Sequence, residues 1–440
     1  MSPIRGLYSL LWCAALPFAP LRLLWRGRRE PGYREHLGER YGRYLGTAPP
    51  RILWVHAVSL GETRAAAPLV ERLRRAHPDA TVLLTHMTAT GREAGRALFG
   101  DGVLQAWLPY DAPFAVRRFL AHFRPCAGLI METELWPNLV ELSRAAGVPI
   151  YLVNARMSTR SARLYAAFPA LTRPMLRALS GVAAQTDADA ARLAALGAPV
   201  AVVTGNLKFD AATPDAGQTL GREFRARFGE ARPVWVAAST RDGEEALILD
   251  ALAAGALPAG TLTVIVPRHP QRFAAVAELL RRRGMPFVLR SSNAPVTADV
   301  EVVLGDSMGE MAGYYAAADV AFVGGSLLPL GGQNLIEPIG AGRPTLVGPH
   351  MFNFAEATEK ARSAGAAVLV ADAGALVATV AALLRDAPRR QAMRDAALAF
   401  HRAHHGAADR LATWLAPRIG AAIAASVRGV RGDVSPSAGD

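Results

Sequence analysis

The sequence predicts an α/β protein of two Rossmann-like domains facing across a cleft, preceded by an apolar N-terminal segment. Three observations predict it. Short apolar runs of strand length alternate with amphipathic helical patterns, as in a parallel sheet covered on both faces. That rhythm runs twice, lapsing between about Gly205 and Arg232, where NLKFDAATPDAGQT reads as a loop. The 440 residues suffice for two or three domains with cores of their own.

The first series of strands is expected at Ile52–Val58, Thr81–Thr85, Val103–Leu108, Gly128–Met131, Ile150–Val153, Val182–Ala184 and Val200–Val203. Helical patterns such as ETRAAAPLVERLRRAH and APFAVRRFLAHF separate them. The second series is expected at Val234–Ala238, Leu262–Val266, Phe287–Leu289, Glu301–Leu304, Val320–Val323, Thr345–Val347 and Ala367–Val370. The chain then divides into an apolar segment over 4–25, a first domain over 26–210, a linker over 211–232, a second domain over 233–427 and a disordered tail over 428–440.

Composition narrows the class. An apolar fraction of 51% with 20% charged residues suits a soluble globular body. Two cysteines, Cys13 and Cys126, offer neither a disulfide framework nor zinc spacing, which favours a reducing compartment. The net charge of +12 points to an anionic partner: nucleic acid, a phosphate-bearing substrate or an acidic membrane face. Gly6 to Leu21 carries no charge and is followed by Arg22, Arg26, Arg28 and Arg29. As a helix this run would reach about 24 Å at ~1.5 Å per residue, short of a hydrocarbon core of about 30 Å. It therefore spans with snorkelling arginines or lies in one leaflet. A cleaved signal peptide fits poorly, because the positive charge follows the apolar run and no small-x-small site follows. The arginine excess holds the C-terminal body in the cytoplasm.

Ligands of open parallel sheets gather beyond the carboxyl ends of the strands. After the first strand comes HAVSLGE, in which Ser59 and Glu62 match an S-x-x-E capping box and the helix dipole favours an ionised carboxylate. Glu62 is an ordinary cap or a general base for an attacking hydroxyl. METELWPN offers Glu132 and Glu134, which face the same side only if the chain stays extended; they are helix-start acids or a carboxylate pair of the glycosidase kind. Lys208, in GNLKFD, is one of two lysines against 47 arginines among the 49 basic residues. It is a solvated loop residue, or it overlooks the cleft and neutralises a leaving phosphate. His56, His86 and His122 read as structural or cleft-lining rather than metal-ligating.

In the second half, PRHP supplies Arg268 and His269 at a strand end, and in GDSMGEM Gly309 opens a helix whose free N–H groups can hold a phosphate. In GGSLLPLGGQNLIEPIGAGRP, Gly331 and Gly332 let backbone approach a ligand, while Asn334 and Glu337 lie a turn apart. A carboxylate there suits two ribose hydroxyls. Three such rims on consecutive crossovers make a nucleotide site. The absence of G-x-G-x-x-G after the first strand, and of Walker, H-E-x-x-H and C-x-x-C motifs, removes the main support for dehydrogenase and NTPase readings.

Taken in order, HAVSLGE, LPYD, METELWPN, NARMS, GNLKFD, PRHP, GDSMGEM, FVGGS, GGQNLIEP and GPHMFNF resemble the bacterial 3-deoxy-D-manno-octulosonic acid (Kdo) transferases of lipopolysaccharide assembly, from about Leu7 to His401. The resemblance implies a GT-B glycosyltransferase fold with the acceptor domain first, the donor domain second and 4–25 as a membrane anchor on the cytoplasmic side of the inner membrane. It implies transfer of Kdo from CMP-Kdo to a lipid A precursor (lipid IVA) with inversion at the anomeric carbon, without metal or other cofactor. The implied partners are CMP-Kdo, the lipid A precursor and anionic inner-membrane lipids, with no nucleic acid. By similarity Glu62 is the proton acceptor, and Glu132 and Lys208 stabilise the transition state. Arg268, His269, Met308, Gly309, Glu310, Asn334, Leu335, Ile336 and Glu337 would hold the CMP moiety, and Arg34, Arg40 and Arg43 would meet acidic head groups and the acceptor's phosphates.

Two rivals have different signatures. A nucleotide-sugar epimerase or hydrolase shares the architecture but has no need of an arginine-flanked apolar segment. A non-enzymatic basic protein of membrane surfaces or nucleic acid would interleave basic and aromatic residues, and the 7% aromatic content shows no such clustering.

Overall fold

All the expected strands form in the computed structural model, which describes residues 3–28, 30–210, 214–255 and 257–432. By internal contacts the chain falls into two units, Met1–Ala211 with Gly406–Asp440, and Ala212–His405. Each unit holds one seven-stranded sheet.

In the first unit the strands are β1 (Ile52–His56), β2 (Thr81–His86), β3 (Leu104–Trp107), β4 (Ala127–Met131), β5 (Ile150–Ala155), β6 (Gly181–Ala184) and β7 (Ala201–Val203), in the order β3-β2-β1-β4-β5-β6-β7. All pair in parallel. β1 reads ILWVH and is buried on both faces. Ile52 and Trp54 enter one apolar core with Phe119 and Leu139; Leu53 and Val55 enter the other with Ala65 and Leu69. The indole N–H of Trp54 donates to Thr85 Oγ1 at 2.8 Å, which satisfies the one polar atom this ring brings inside.

The second unit holds β8 (Val234–Thr240), β9 (Leu262–Pro267), β10 (Phe287–Leu289), β11 (Val302–Leu304), β12 (Val320–Val323), β13 (Thr345–Val347) and β14 (Ala367–Leu369), in the order β10-β11-β9-β8-β12-β13-β14. These too are all parallel. Strand order reverses between β1 and β4 in one sheet and between β8 and β12 in the other. Such switch points are where open parallel sheets bind ligands.

Three boundaries differ from the sequence reading. The expected linker over 211–232 contains a helix, Pro214–Phe228, that belongs to the second unit. Gly217 and Gly221 lie one turn apart on it and let it press against the helix Met311–Ala317: a Cβ on Gly217 would sit 2.7 Å from Ala312 Cβ. The second domain does not extend to 427. From Gly406 the chain returns to the first unit, where Ala408, Leu411, Leu415 and Ile419 of the helix Ala407–Gly432 join the core of Leu53 and Val55. Asp210 fixes that return by accepting from Gly406 N–H (2.7 Å) and Ala408 N–H (2.5 Å), and Arg72 forks onto Asp409 at 2.6 and 2.8 Å. Of the expected tail, 428–432 continue this helix and 433–440 lie outside the described residues.

The N-terminal segment forms the helices Pro3–Ala15 and Ala19–Arg26 around a 3-10 turn, Leu16–Phe18, with Pro17 and Pro20 in the first turns where a missing N–H costs nothing. One side docks on the first unit. Tyr8 OH donates to Asp111 Oδ2 at 2.9 Å, Ser9 Oγ meets Asn138, Arg5 pairs with Glu141, and Trp12 stacks on Tyr110. Ile4, Leu7, Leu10, Leu11, Phe18, Leu21, Leu24 and Trp25 remain exposed. Among the described residues, Pro3–Arg26 is the one helical stretch long and apolar enough to cross a membrane by length and composition. Arg40 departs from the head-group role expected of it: it is buried, its guanidinium 4.0 Å from the Trp107 ring centroid and donating to Met87 O at 3.4 Å. Arg34 and Arg43 are exposed.

Candidate active site

On the first unit's rim, Glu62 is the third residue of the helix Leu60–Ala76, which starts four residues after β1. Ser59 is extended at φ −119°, so its hydroxyl caps the helix. That hydroxyl receives Glu62 N–H at 3.4 Å and donates to Oε1 at 3.0 Å, while Val58 N–H donates to Oε2 at 2.9 Å. The cap and the candidate base are therefore one side chain: the hydrogen bonds that start the helix also pin the carboxylate, half-buried, beside the switch point. The sequence argues for ready ionisation here, and the structure corrects that. Burial foremost, with the charges of Glu132 and Glu134 adding to it, raises the pKa to about 7 against the opposing hold of Val58 N–H and Ser59 OH. A base titrating near neutrality combines an available ionised form with a strong pull on the proton.

Glu132 follows β4 directly. It turns at φ 55° and its N–H donates to Val153 O at 3.0 Å, while Glu134 N–H closes the turn onto Met131 O at 3.4 Å. The chain is not extended through METEL, yet both carboxylates act on Glu62. Lys208 Nζ lies 3.1 Å from Glu132 Oε1, the two side chains 22% and 19% exposed, so the lysine is paired and largely withdrawn from water. Two asparagines put it there. Asn206 Oδ1 accepts from Lys208 N–H and Asn154 Oδ1 accepts from Leu207 N–H, each at 3.0 Å. Asn154 is buried at φ 50°. The NARMS motif that it opens shows no role by pattern alone; the signal in the sequence is an asparagine closing an apolar strand, because that residue tolerates the left-handed region. Glu134 has its pKa raised by burial, with Glu132 adding to the effect.

On the second unit's rim, Arg268 N–H donates to Thr240 O at 2.9 Å and its Nε to Gln333 Oε1 at 3.3 Å. His269 is exposed beside it. Burial, then the charges of Arg241, Arg268 and Arg272, lower its pKa. This end of β8 and β9 is thus a cluster of cationic donors of the kind that grips phosphate. Met308 and Gly309 (φ 84°) are exposed, and the helix they precede begins at Met311 with Glu310 as its N-cap. The Glu310 carboxylate is engaged within the chain, by Arg290 at 2.7 Å and by Ser307 OH. Asn334 Oδ1 accepts from Ile336 N–H at 3.0 Å, and its Nδ2 donates to Glu337 Oε1 at 3.1 Å, the one-turn pairing the spacing predicts. Leu335 and Ile336 have fully buried side chains, which leaves only their main chain for a nucleotide.

Gly331 (φ 94°) and Gly332 (φ 73°) overturn the expectation of room for a ligand. The space a Cβ would need is filled by Asn353 and Met351 of this chain. Glu244 is a positioning residue the sequence did not reveal. Fully buried, it collects the N–H groups of Arg241 (2.8 Å), Gly325 (2.6 Å), Ser326 (2.9 Å) and Leu327 (2.9 Å), and so shapes the FVGGSLL loop after β12. Among the described residues no group of three or more His, Cys, Asp and Glu side chains could hold a metal ion.

Two doubly wound parallel sheets with polar rims at their switch points define a GT-B-like protein. A family model described as 3-deoxy-D-manno-octulosonic-acid transferase (kdotransferase) matches residues 35–211. The 3-deoxy-D-manno-octulosonic acid transferase of Bordetella pertussis is 47% identical over an alignment of 435 residues that covers 93% of this chain and 99% of that one. That of Haemophilus influenzae is 38% identical over 414 residues, 93% and 96% of the two chains. The chain belongs to the Kdo transferase family and is an enzyme. A UDP-GlcNAc 2-epimerase from Neisseria meningitidis, solved with UDP-GlcNAc bound, matches at TM-score 0.53 and 17% identity over 78% of this chain and 94% of that one. That likeness is one of fold alone, so fold does not separate transferase from epimerase; family membership does.

Proposed function

We propose that the chain transfers Kdo from CMP-Kdo to a lipid A precursor in a single displacement that inverts the anomeric carbon. Glu62 takes the proton of the attacking hydroxyl as its oxygen bonds to that carbon. The bond from the anomeric carbon to the phosphate oxygen breaks, and its electron pair leaves with CMP. The observation that carries this reading is the half-buried carboxylate of Glu62, fixed by Val58 and Ser59 and titrating at about 7. Lys208, paired with Glu132, lowers the electrostatic cost of charge developing in the transition state. Arg268 and His269 receive the phosphate, the main chain over 334–337 approaches the nucleotide, and Glu337 accepts from ribose hydroxyls. The scheme uses no metal: the guanidinium groups of Arg241 and Arg268 beside His269 balance the phosphate charge.

The same reading puts the enzyme on the cytoplasmic face of the inner membrane. The exposed apolar side of Pro3–Arg26 and the exposed Arg22, Arg28, Arg34 and Arg43 support it: apolar side chains enter the acyl boundary and guanidinium groups meet anionic head groups. Because its other side is hydrogen-bonded to Asp111 and Asn138, the segment is proposed to lie in the interface rather than cross it.

Incubating the purified full chain with CMP-Kdo and a tetraacylated lipid A precursor tests the function. Product mass should rise by whole Kdo residues, with the opposite anomeric configuration to the donor by NMR. Release of free Kdo with the acceptor unchanged, or retained configuration, would contradict the reading.

A further inference from the structure

We propose that His86 is a positioning residue for Glu62, acting through the single peptide group that joins Ala57 to Val58. The proposal rests on the reading of Glu62 as the base. His86 closes β2, its ring wholly buried, with Nδ1 2.9 Å from the Ala57 carbonyl oxygen. On the opposite edge of the same peptide group, Val58 N–H donates to Glu62 Oε2 at 2.9 Å. The histidine and the carboxylate are therefore connected in series by two hydrogen bonds and one rigid plane. Hydrogen bonds so arranged polarise one another: a donor on the carbonyl makes the N–H a stronger donor to the carboxylate.

The ring's proton is on the side this requires. With the Gln105 amide oriented so that its oxygen accepts from Arg96 N–H (2.9 Å), its nitrogen donates to Arg92 O (3.0 Å) and to His86 Nε2 (3.2 Å). Nε2 is then the acceptor and Nδ1 carries the hydrogen. Thr63 Oγ1 lies 3.4 Å from Nδ1, but its own hydrogen is given to Ser59 O at 2.9 Å. Burial lowers the ring's pKa to about 4, and Arg92 and Arg96 from the neighbouring helix Ala89–Phe99 act in the same direction. His56 faces it from β1 and Gln105 from β3. At the far end of the series, Glu132 and Glu134 face Glu62. The ring stays a neutral donor across the working range, so the series ends in one titrating group, Glu62.

The next peptide group along the chain is held as well. Val58 O is held separately by Thr88 Oγ1 (2.9 Å), Met87 N–H (3.2 Å) and Thr88 N–H (3.1 Å). Gly91 and Gly95 bring the helix against it: a Cβ on Gly91 would sit 2.9 Å from Val58 O, and one on Gly95 2.7 Å from the Gln105 amide and 3.1 Å from His86 Nε2. With Ala57 O and Val58 O both held, the Val58 N–H between them is fixed in its aim at the carboxylate.

His86→Leu removes the donor, whereas His86→Asn keeps an N–H near the place of Nδ1. For the Leu variant, kcat should fall about tenfold to a hundredfold, the range a sub-ångström loss of alignment produces. KM for CMP-Kdo should stay within about twofold, and the acid limb of the pH profile should move to higher pH, because the carboxylate loses part of the hold that favours its ionised form. The Asn variant should recover most of both. A Leu variant with wild-type melting, kcat and acid limb would overturn the proposal, as would an Asn variant no better than Leu. Should the Leu variant not fold, ¹⁵N-histidine NMR decides on chains that keep the imidazole. His86 Nδ1 should resonate as the protonated nitrogen of a neutral ring and shift with the titration of Glu62, and that shift should vanish in Glu62→Gln. An unprotonated Nδ1, or a shift that persists in Glu62→Gln, refutes the link. Full transfer by Glu62→Gln, with the pH-dependent shift of His86 present in the wild-type chain and absent from that variant, would instead remove the base while leaving the link standing.

Discussion

At the scale of single residues, Glu62 shows that one carboxylate can fix a helix start and still be tuned as the proposed base. The donors that cap the helix lower its pKa; partial burial and two nearby carboxylates raise it, and the latter win, giving about 7. Because the pKa is raised, the carboxyl is mostly neutral below about 7, and the ionised form that can accept a proton grows as pH rises. The kcat/KM for transfer should therefore drop about tenfold for each pH unit below 7 and level off above it. An acid limb near 4.5 in a pH–rate profile would contradict the assigned environment. Lys208 acts on the same balance. Replacing it by Ala should cost about a hundredfold in kcat and move the acid limb upward, since Glu132 then opposes ionisation of Glu62 uncompensated. An unshifted limb with normal kcat would remove Lys208 from the reaction. The sequence marked this lysine through its rarity among arginines, but its ion pair depends on the turn at Glu132 and on Asn154, which no local pattern expresses.

At the scale of elements, the strands were legible because buried parallel strands are continuous apolar runs, such as ILWVH and VWVAAST. The helix Pro214–Phe228 was not. Its start, PDAGQTLG, has the composition of a loop, and its two glycines serve an approach to Met311–Ala317, roughly ninety residues further on, that only tertiary packing reveals. Glu244 was hidden for a similar reason, since its four N–H partners come mostly from the loop after β12. Glu244→Gln replaces one acceptor oxygen by a donor facing those N–H groups. It should destabilise the fold by about 3 kcal/mol in urea unfolding and weaken CMP binding, as a buried unsatisfied donor set requires. Unchanged stability and affinity would show that the loop keeps its shape without the carboxylate.

At the scale of the whole molecule, the sequence conveyed two series of strands but not which unit the last helix joins. Its amphipathic pattern demands an apolar partner without naming one, and the structure supplies β1's core. The apolar, arginine-flanked character of the N-terminal segment was legible, whereas its docking through Tyr8, Ser9 and Trp12 was not, because those partners lie about a hundred residues or more away in sequence. If it rests in the interface, changing Arg22 and Arg28 to Glu should weaken binding to anionic vesicles about tenfold or more, at ~1 kcal/mol per arginine lost, and leave binding to zwitterionic vesicles alone. Equal loss on both would argue against head-group contact. The claim on which all of this turns is that Glu62 accepts the acceptor's proton. Mass spectrometry of the products formed by Glu62→Gln from CMP-Kdo and the lipid A precursor tests it most directly: transfer should fall by a factor of about 10² to 10⁴ with CMP binding unchanged, and a Gln variant that glycosylates the precursor at the wild-type rate would contradict it.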